Sequence, residues 1–359
     1  MRVGLICPYS LTMPGGVQGQ VLGLARSLRL LGDEVRVLAP TDGPPTDAGV
    51  TPLGKSIPLA ANGSVAPIAP DPSCALRTIR ALRDEDFDVV HLHEPLVPGP
   101  TVTTLLFADA PKVGTFHRAG ASAAYDMLKP IVKRMAARLD IRCAVSADAK
   151  ATAADAVGGS YELLFNGIEI DQYAKATPMP TEAPTILFLG RHEPRKGLAV
   201  LLRAMAHLPA DVRVWVAGDG AQTEELKELH RGDERIEWLG RIDEEDKARY
   251  LAGADVFCAP SLRGESFGVV LLEAMAAGTA IVATDLPGYR NVAKPDEHAL
   301  MAPPDDAEAL AAALRLALTD GARNRDLVEA GRERAEEFSM MRLAERYREL
   351  YQSAIDNRR

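Results

Sequence analysis

Short apolar runs rich in β-branched residues alternate along the chain with longer stretches of helical periodicity, a pattern typical of βα units on parallel sheets. We interpret each run as a predominantly apolar strand that is covered on both faces. A first series of predicted strands covers 3–7, 34–38, 88–93, 112–116 and 141–145. A second series covers 185–189, 212–217, 236–239, 256–259 and 280–283. We therefore predict an α/β fold with two Rossmann-like, doubly wound parallel-sheet domains.

A stretch with three prolines separates the two series and indicates a linker at 171–184. We predict an N-terminal domain over 1–170 and a C-terminal domain over 171–340. Apolar side chains at helical spacing in 341–359 predict an amphipathic helix crossing back toward the N-terminal domain, and a helix lying wholly on the second domain is the alternative. Because ligands bind at the carboxyl ends of parallel strands, two such domains facing each other would form a central cleft.

Composition and charge limit which kinds of molecule the protein is expected to bind. The 359 residues suit about two domains, and 47% hydrophobic with 25% charged residues is the composition of a soluble globular protein. A net charge of -9 argues against general nucleic-acid binding. Residues 1–165 carry 16 basic and 16 acidic side chains, so the whole net charge falls on the rest. Within the neutral half the 112–150 region is basic, which leaves room for a local anionic partner.

The cysteines and apolar runs indicate a cytoplasmic protein. The four cysteines are too widely spaced for a CxxC unit and adjoin apolar runs, as buried thiols do. No apolar run approaches the length of a membrane span, and the N-terminus has no signal-peptide pattern. No HExxH or Cys/His cluster occurs in the sequence, so we predict no structural or catalytic metal.

Two segments have features of a phosphate site at a helix start. Gly15 and Gly16 lie between the first strand and a helical pattern, where the backbone can approach an anion and free N–H groups favour it. Arg191, Arg195 and Lys196 follow the first strand of the second series, just before another helix, and this density of positive charge suits a diphosphate. A plain glycine-rich turn and a solvated helix cap are the respective alternatives.

Two glutamates and one histidine complete the candidate chemistry. Glu265 lies in the loop before an apolar helical pattern, and Glu273 lies about two turns inside that helix. A carboxylate on so apolar a helix costs free energy unless it is hydrogen-bonded, and the vicinal hydroxyls of a sugar can supply the bonds. A capping role for Glu265 and a structural hydrogen bond for Glu273 are the alternatives. His117 ends the strand 112–116 on the side of the predicted cleft, where a purely structural histidine is also an option.

Together these motifs resemble those of the retaining two-domain glycosyltransferases of the glycogen-synthase and sucrose-synthase type, family four, which have the GT-B fold. The resemblance spans essentially the whole chain, and its most specific mark is the Glu-x7-Glu segment at 264–273. The segments most similar to bacterial phosphatidylinositol α-mannosyltransferases are CPYSLTMPGGVQGQV (7–21), NGSVA (62–66), FDVVHLHEP (87–95) and LGRHEPRKGLAVLL (189–202). The resemblance implies GDP-mannose as the donor and an inositol lipid at the cytoplasmic membrane face as the acceptor.

The resemblance also implies roles for individual residues. His117 would lie near the reacting carbon, Arg195 would hold the donor diphosphate, and Glu265 would bind sugar hydroxyls. The implied donor-binding residues are Gly15, Gly16, Arg191, Lys196, Ile242, Asp243, Glu244, Lys247, Ser266, Phe267, Gly268, Val269, Val270 and Glu273. Among them the four from Ile242 to Lys247 would lie near the base, and Glu273 would bind the ribose. Tyr9, Gln18 and Asn62 match acceptor-contacting positions.

The departures from the family pattern fall on the acceptor side. Pro67 follows NGSVA, where the lipid enzymes have a phosphate-binding arginine. We add Arg118, beside His117, as a hypothetical replacement for that cation. The helix after NGSVA offers one basic stripe, Arg77, Arg80 and Arg83, and each arginine is worth at most about 1 kcal/mol at an anionic membrane.

We therefore predict a retaining hexosyltransferase that moves mannose from GDP-mannose to an inositol-containing acceptor. Phosphatidylinositol is the acceptor that we favour. Weak peripheral contact with an anionic membrane would use the arginine stripe and the 112–150 region. A same-fold enzyme using a soluble acceptor such as inositol phosphate with a UDP-sugar, and a non-catalytic nucleotide-sugar-binding protein, are the alternatives. A nicotinamide-dependent oxidoreductase is disfavoured because GxGxxG is absent from the sequence.

Overall fold

The computed structural model describes residues 1–13, 15–45, 47–61, 64–118, 129–265 and 267–358. The chain divides into two compact units. The first comprises Met1–Gly167 together with Met340–Arg359, and the second is Ile168–Ser339.

The first unit is built on a seven-stranded parallel sheet of order β3-β2-β1-β6-β7-β8-β9, with β4 and β5 forming a separate antiparallel hairpin. The strands are β1 (Arg2–Ile6), β2 (Glu34–Ala39), β3 (Val50–Pro52), β4 (Ile57–Ala61), β5 (Ser64–Ile68), β6 (Val89–His93), β7 (Lys112–Phe116), β8 (Ile141–Ala144) and β9 (Glu162–Leu163). Every residue of β6 and β7 is buried. These two central strands are therefore covered on both faces, as predicted for the strands of this series.

Helices flank this sheet, and the described ones are α1 (Gly16–Leu30), α2 (Pro72–Glu85), α3 (Pro100–Phe107), α4 (Lys129–Ala136), α5 (Ala147–Val157) and the C-terminal α14 (Met340–Asp356). Side-chain caps define two of the starts, because Asp71 accepts from the N–H groups of the first turn of α2 and Ser146 does so for α5. The apolar face of α14 packs on α1 in one buried cluster with β1 and β2.

The second unit is a six-stranded parallel sheet of order β12-β11-β10-β13-β14-β15. Its strands are β10 (Thr185–Leu189), β11 (Arg213–Ala217), β12 (Ile236–Gly240), β13 (Val256–Ala259), β14 (Ala280–Thr284) and β15 (Leu300–Ala302). Its helices are α6 (Ile170–Ala174), α7 (Leu198–Ala204), α8 (Thr223–Leu229), α9 (Glu244–Gly253), α10 (Val269–Ala277), α11 (Pro287–Arg290), α12 (Ala307–Thr319) and α13 (Gly321–Glu337), with 3₁₀ turns at Pro194–Lys196 and Met205–His207. The two parallel-sheet units confirm the predicted fold class.

The structure corrects the interpretation of 171–184 as a linker. This segment belongs to the second unit, begins inside α6 and buries Tyr173. The Met179 N–H donates to the Arg249 carbonyl at 2.9 Å, and a Cβ on Gly253 would lie 2.2 Å from the Met179 carbonyl oxygen. Prolines keep the rest of this stretch, 175–184, out of regular secondary structure, but they do not prevent it from packing tightly.

The hydrophobic pattern also missed five strands: β3, β4, β5, β9 and β15. Three of them have only two or three residues, which is too short for a periodic signal. In the hairpin, Pro58 and Pro67 face each other across the two strands, and proline within an apolar run argues against a strand. Short and proline-containing strands are therefore assigned only once their hydrogen-bonded partners are known.

Candidate active site

The loops that follow β10 and β13 carry the predicted cations Arg191, Arg195 and Lys196 and the predicted carboxylate Glu265, and the structure brings them together. β10 and β13 are neighbours in the sheet, so their carboxyl ends open at one edge. The Leu262 N–H donates to the Arg195 carbonyl at 2.7 Å, which joins the two loops. Gly197 has a φ of 71°, and a Cβ there would lie 1.9 Å from the Pro260 carbonyl oxygen, so only glycine allows this approach.

The three predicted cations lie together, but carboxylates already hold them. Lys196 Nζ lies 2.6 Å and Arg195 Nη1 3.7 Å from Glu265 Oε1. Arg195 Nε lies 3.0 Å from Glu193 Oε2, and Arg191 Nη1 lies 2.7 Å from Glu193 Oε1. Three cations thus face two carboxylates, and this cluster carries a net charge of about one, not three. Sequence reasoning missed Glu193, although its place between Arg191 and Arg195 is a usable signal.

Glu273 has its partner within the protein. Lys247 Nζ lies 2.9 Å from Glu273 Oε1 and 2.7 Å from Glu244 Oε2, and it lies 5.5 Å from the centre of the Tyr173 ring. Burial alone would lower the pKa of Lys247, but the negative charge of Glu273 and Glu244 raises it above its ordinary value. Lys247 therefore stays charged and balances the charge of Glu273 on the apolar helix. From the sequence, we expected sugar hydroxyls to supply the hydrogen bonds that compensate this carboxylate.

The remaining described donor residues of the second unit lie at the starts of α9 and α10. Asp243 caps α9, because its Oδ1 accepts the Asp246 N–H at 2.8 Å, and Ile242 just before it is half-buried. At the start of α10, Gly268 has a φ of 91°, and the half-buried Val269 and Val270 form the first turn. Phe267 is buried with its ring edge-on to Phe338, which is a packing contact. The predicted Ser266 lies outside the described residues.

In the first unit, Gly15 and Gly16 begin α1, and Gln18 ties the preceding loop to it. The side-chain amide of Gln18 is buried and donates to the Ser10 and Met13 carbonyls at 3.4 and 3.2 Å. A Cβ on Gly15 would lie 2.3 Å from Gln18 Oε1, whereas a Cβ on Gly16 would meet no atom of the described residues within 4 Å. Gly15 thus makes room for the glutamine.

His117 follows β7 and belongs to a buried histidine cluster. Its Nε2 lies 2.9 Å from His93 Nδ1 with the two rings stacked, and the ring centres of His93 and His91 are 4.3 Å apart. Burial lowers the pKa of His117 to about 4, which the Asn166 side chain offsets only in part. The imidazole is therefore neutral at pH 7 and is suited to hydrogen bonding.

Sequence reasoning missed Glu94, which orients the backbone at His117. Glu94 is buried, has a φ of 50° that non-glycine residues rarely adopt, and accepts the His117 N–H at 2.7 Å. Burial raises the pKa of Glu94, while the N–H groups of His117 and Arg118 and the positive charge of Arg118 oppose that shift. The usable signal was an acidic residue directly after a fully buried strand. Arg118 thus lies near a carboxylate of its own unit.

One of the other predicted acceptor residues, Tyr9, lies beside the hairpin. The Tyr9 backbone forms an antiparallel bridge with Ile68, which places this half-buried residue beside β5. Asn62 lies outside the described residues. In the predicted membrane stripe, Arg77 donates to the Leu53 carbonyl at 3.2 Å and Arg80 pairs with Asp84 at 3.3 Å.

Comparisons with known proteins add an independent observation. Two family models divide the chain, "Glycosyltransferase Family 4" over residues 14–172 and "Glycosyl transferases group 1" over residues 169–334. The "Phosphatidyl-myo-inositol mannosyltransferase" of Mycobacterium leprae is 38% identical over 364 residues, which cover 98% of this chain and 97% of the relative. The chain belongs to this family of glycosyltransferases. A relative of the same name from Mycolicibacterium smegmatis is 41% identical, covering 88% of this chain and 84% of its own.

Solved glycosyltransferase structures show the same fold. Anabaena HepE in complex with UDP superposes with a TM-score of 0.76 at 18% identity, covering 98% of this chain and 100% of its own. The sucrose-phosphate synthase of Thermosynechococcus elongatus superposes with a TM-score of 0.75 at 22% identity, covering 99% of both chains. The predicted GT-B fold and the predicted class of enzyme, a glycosyltransferase, are confirmed.

The described part of the glycosyltransferase contains neither a membrane-spanning helix nor a cluster of metal-ligand side chains. No helix there combines the length and apolar character needed to cross a bilayer. No group of three or more His, Cys, Asp or Glu side chains there is arranged to hold a metal ion.

Proposed function

We propose that this glycosyltransferase transfers mannose from GDP-mannose to the inositol ring of phosphatidylinositol, with retention of the anomeric configuration. The names of its relatives support the sugar and the acceptor. The guanine base and retention rest on the family resemblance of the sequence. The observation that carries the donor assignment is the convergence of Arg195 and Lys196 on Glu265 at the adjoining ends of β10 and β13.

The cluster suits the departure of a nucleoside diphosphate. Arg191, Arg195 and Lys196 would neutralise the negative charge that develops on the leaving diphosphate. The cluster supplies only about one net positive charge, so the backbone N–H groups of Val269 and Val270, in the first turn of α10, would supply the remaining stabilisation. Glu265 would accept hydrogen bonds from mannose hydroxyls, and Glu273, held by Lys247, would accept them from the ribose.

The departing diphosphate would act as the base that takes the proton of the acceptor hydroxyl, with attack from the same face. This mechanism needs no protein nucleophile. It also agrees with a His117 that is neutral at pH 7 and therefore acts by hydrogen bonding. On the acceptor side, Tyr9, Gln18, Asn62 and Arg118 would contact the inositol headgroup.

Membrane contact would be peripheral, on the cytoplasmic face, through the stripe on α2. Arg77, Arg80 and Arg83 lie exposed on that helix, and Leu76 beside them is 69% exposed. The basic 112–150 region would add to this contact. Because each arginine contributes at most about 1 kcal/mol, we expect this binding to be weak and salt-sensitive.

Removing the cations tests the donor site. We expect Arg191→Ala and Lys196→Ala each to abolish transfer and to weaken GDP binding at least tenfold by calorimetry, because each loses a charge-assisted bond to phosphate. Arg203→Ala is the matched control, since Arg203 pairs with Asp305 on the surface of the same unit. Unchanged GDP affinity in both site variants would overturn the phosphate assignment.

The acceptor is tested separately. With GDP-mannose we expect labelled mannose in phosphatidylinositol vesicles, and we expect the protein to float with anionic vesicles at low salt. Pro67, where lipid enzymes have an arginine, favours a second candidate: a soluble acceptor such as inositol phosphate, used with a UDP-sugar. Product from inositol phosphate alone, with no flotation, would establish that candidate instead.

A further inference from the structure

We infer that Tyr289 and Ser261 are positioning residues for Glu265, and that a chain of their two hydroxyls fixes the carboxylate that recognises the donor hexose. The Tyr289 hydroxyl lies 2.9 Å from Ser261 Oγ, and Ser261 Oγ lies 2.9 Å from Glu265 Oε1. Tyr289 and Ser261 are 1% and 2% exposed. The inference rests on the proposed function in one respect, the assignment of Glu265 to the hexose.

The two hydroxyl protons between Tyr289, Ser261 and Glu265 can be arranged in only one way. An ionised carboxylate only accepts, so the one hydroxyl proton of Ser261 is committed to Glu265. Ser261 Oγ must then accept from Tyr289, whose one proton points toward it. Burial, and then the negative charge of Glu265, raises the pKa of the Tyr289 phenol above its ordinary value, so the donor stays protonated. A chain with one proton order holds the carboxylate in one orientation.

The short helix α11 also supports the backbone on both sides of Glu265. A Cβ on Gly288 would lie 1.8 Å from the Glu265 carbonyl oxygen, so the loop rests directly on this glycine. A Cβ on Gly268, at the far end of the loop, would lie 3.0 Å from Tyr289 Cδ1. At the near end, the Ser261 carbonyl accepts from the Thr284 hydroxyl. The loop has glycines with φ of 77° at Gly264 and 91° at Gly268, and α11 holds it in place.

The hydroxyl chain differs from the cations that also contact Glu265. Lys196 and Arg195 contact Glu265 Oε1, but in the proposed reaction they also bind the diphosphate. Ser261 and Tyr289 are buried, and the proposed reaction gives them no contact with the diphosphate. They can therefore keep Glu265 in position when the donor engages the cations.

The test compares calorimetric affinities for GDP-mannose and for GDP. We expect Ser261→Ala to weaken GDP-mannose binding about tenfold while GDP binding is unchanged, because only the hexose contacts Glu265. Tyr289→Phe should cause a smaller loss of the same kind, about threefold. The double variant should lose no more than Ser261→Ala, because Tyr289 acts only through Ser261. Ser261→Thr, which keeps the hydroxyl, should restore binding.

Tyr161→Phe is the matched control, since it removes a buried tyrosine hydroxyl that donates to the Gly158 carbonyl in the first unit. Additive losses in the double variant, or equal losses for GDP and GDP-mannose, would overturn the inference. Glu265→Gln separates the two proposals. If it removes the preference for GDP-mannose over GDP and Ser261→Ala does not, only the positioning role fails. If Glu265→Gln leaves that preference intact, the hexose assignment fails and the positioning role fails with it.

Discussion

At the scale of single residues, each glutamate of the Glu-x7-Glu segment is paired with a lysine from a neighbouring element. Lys196 contacts Glu265, and Lys247 contacts Glu273. In both pairs the side chains are at most 21% exposed, so solvent screens these charges much less than on the open surface. The protein itself therefore pairs and orients the two carboxylates.

Removing Lys247 from its pair with Glu273 should destabilise the second unit. Lys247→Met leaves Glu273 without its cation on an apolar helix, which should cost about 3 kcal/mol and lower the melting temperature by about 6 °C. Both tryptophans, Trp215 and Trp238, belong to this unit, so their fluorescence reports its unfolding.

Two further variants check the cause of that loss. Adding Glu273→Gln to Lys247→Met should recover much of the stability, because no charge is then stranded. Lys175→Met removes a cation whose pair with Asp171 is 72% and 79% exposed, and it should change the melting temperature by less than about 2 °C. A loss in Lys247→Met that Glu273→Gln does not relieve would show that the charge is not its cause.

At the scale of elements, the C-terminal helix α14 helps to hold the histidine cluster. The Tyr351 hydroxyl lies 2.7 Å from His91 Nδ1, and the Tyr347 hydroxyl lies 2.9 Å from Thr115 Oγ1, which in turn lies 2.7 Å from His91 Nε2. These residues are all nearly or fully buried. A helix far away in sequence thus satisfies polar groups on β6 and β7 that the sheet leaves unpaired.

Substitutions in α14 should weaken the first unit selectively. Tyr351→Phe leaves His91 Nδ1 unpaired and should cost about 1–2 kcal/mol, whereas Tyr351→Ala also opens a cavity and should cost about 4 kcal/mol. Hydrogen exchange in peptides covering β6 measures the loss, and tryptophan fluorescence reports the second unit. We expect faster hydrogen exchange in β6 and an unchanged unfolding transition by tryptophan fluorescence. An equal loss of stability in the two units would contradict the placement of this effect in the first unit.

At the scale of the whole molecule, three neutral histidines make the first unit sensitive to acid. Burial lowers the pKa of His91 to about 3 and that of His117 to about 4, and it holds that of His93 well below its ordinary value. In the unfolded chain each would titrate near pH 6.5. Above that pH the folded and unfolded states bind the same protons, and below it the unfolded state binds more.

Stability of the first unit should therefore fall as the pH decreases from about 6.5 to 4. Each histidine contributes roughly 1.4 kcal/mol per pH unit within this window. Hydrogen exchange in β6 between pH 7 and pH 5, corrected for the intrinsic pH dependence of exchange, measures the slope. The variant His93→Gln should reduce it, and a stability independent of pH in the unsubstituted protein would contradict the expectation.

The sequence predicted the sheets because continuous apolar runs reflect burial on both faces, a local property of each strand. It also indicated the glycosyltransferase family, since the spacing of Glu265 and Glu273 and the cations after β10 lie within short segments. It failed at 171–184, where prolines without periodicity indicated a linker that the structure packs against α9. Nothing in the local pattern of that segment records what it contacts.

By itself, the sequence determined the class of fold, the family and the residue types available for a donor site. Only the tertiary structure decided which charges meet: Glu193 and Glu265 with the predicted cations, Lys247 with Glu273, and Tyr289 behind Ser261. It also decided that α14 packs within the first unit. The physical reason is that a charge or hydroxyl acts through its neighbours in space. Those neighbours come from strands and helices distant in sequence, whose adjacency is set by the order of strands in each sheet.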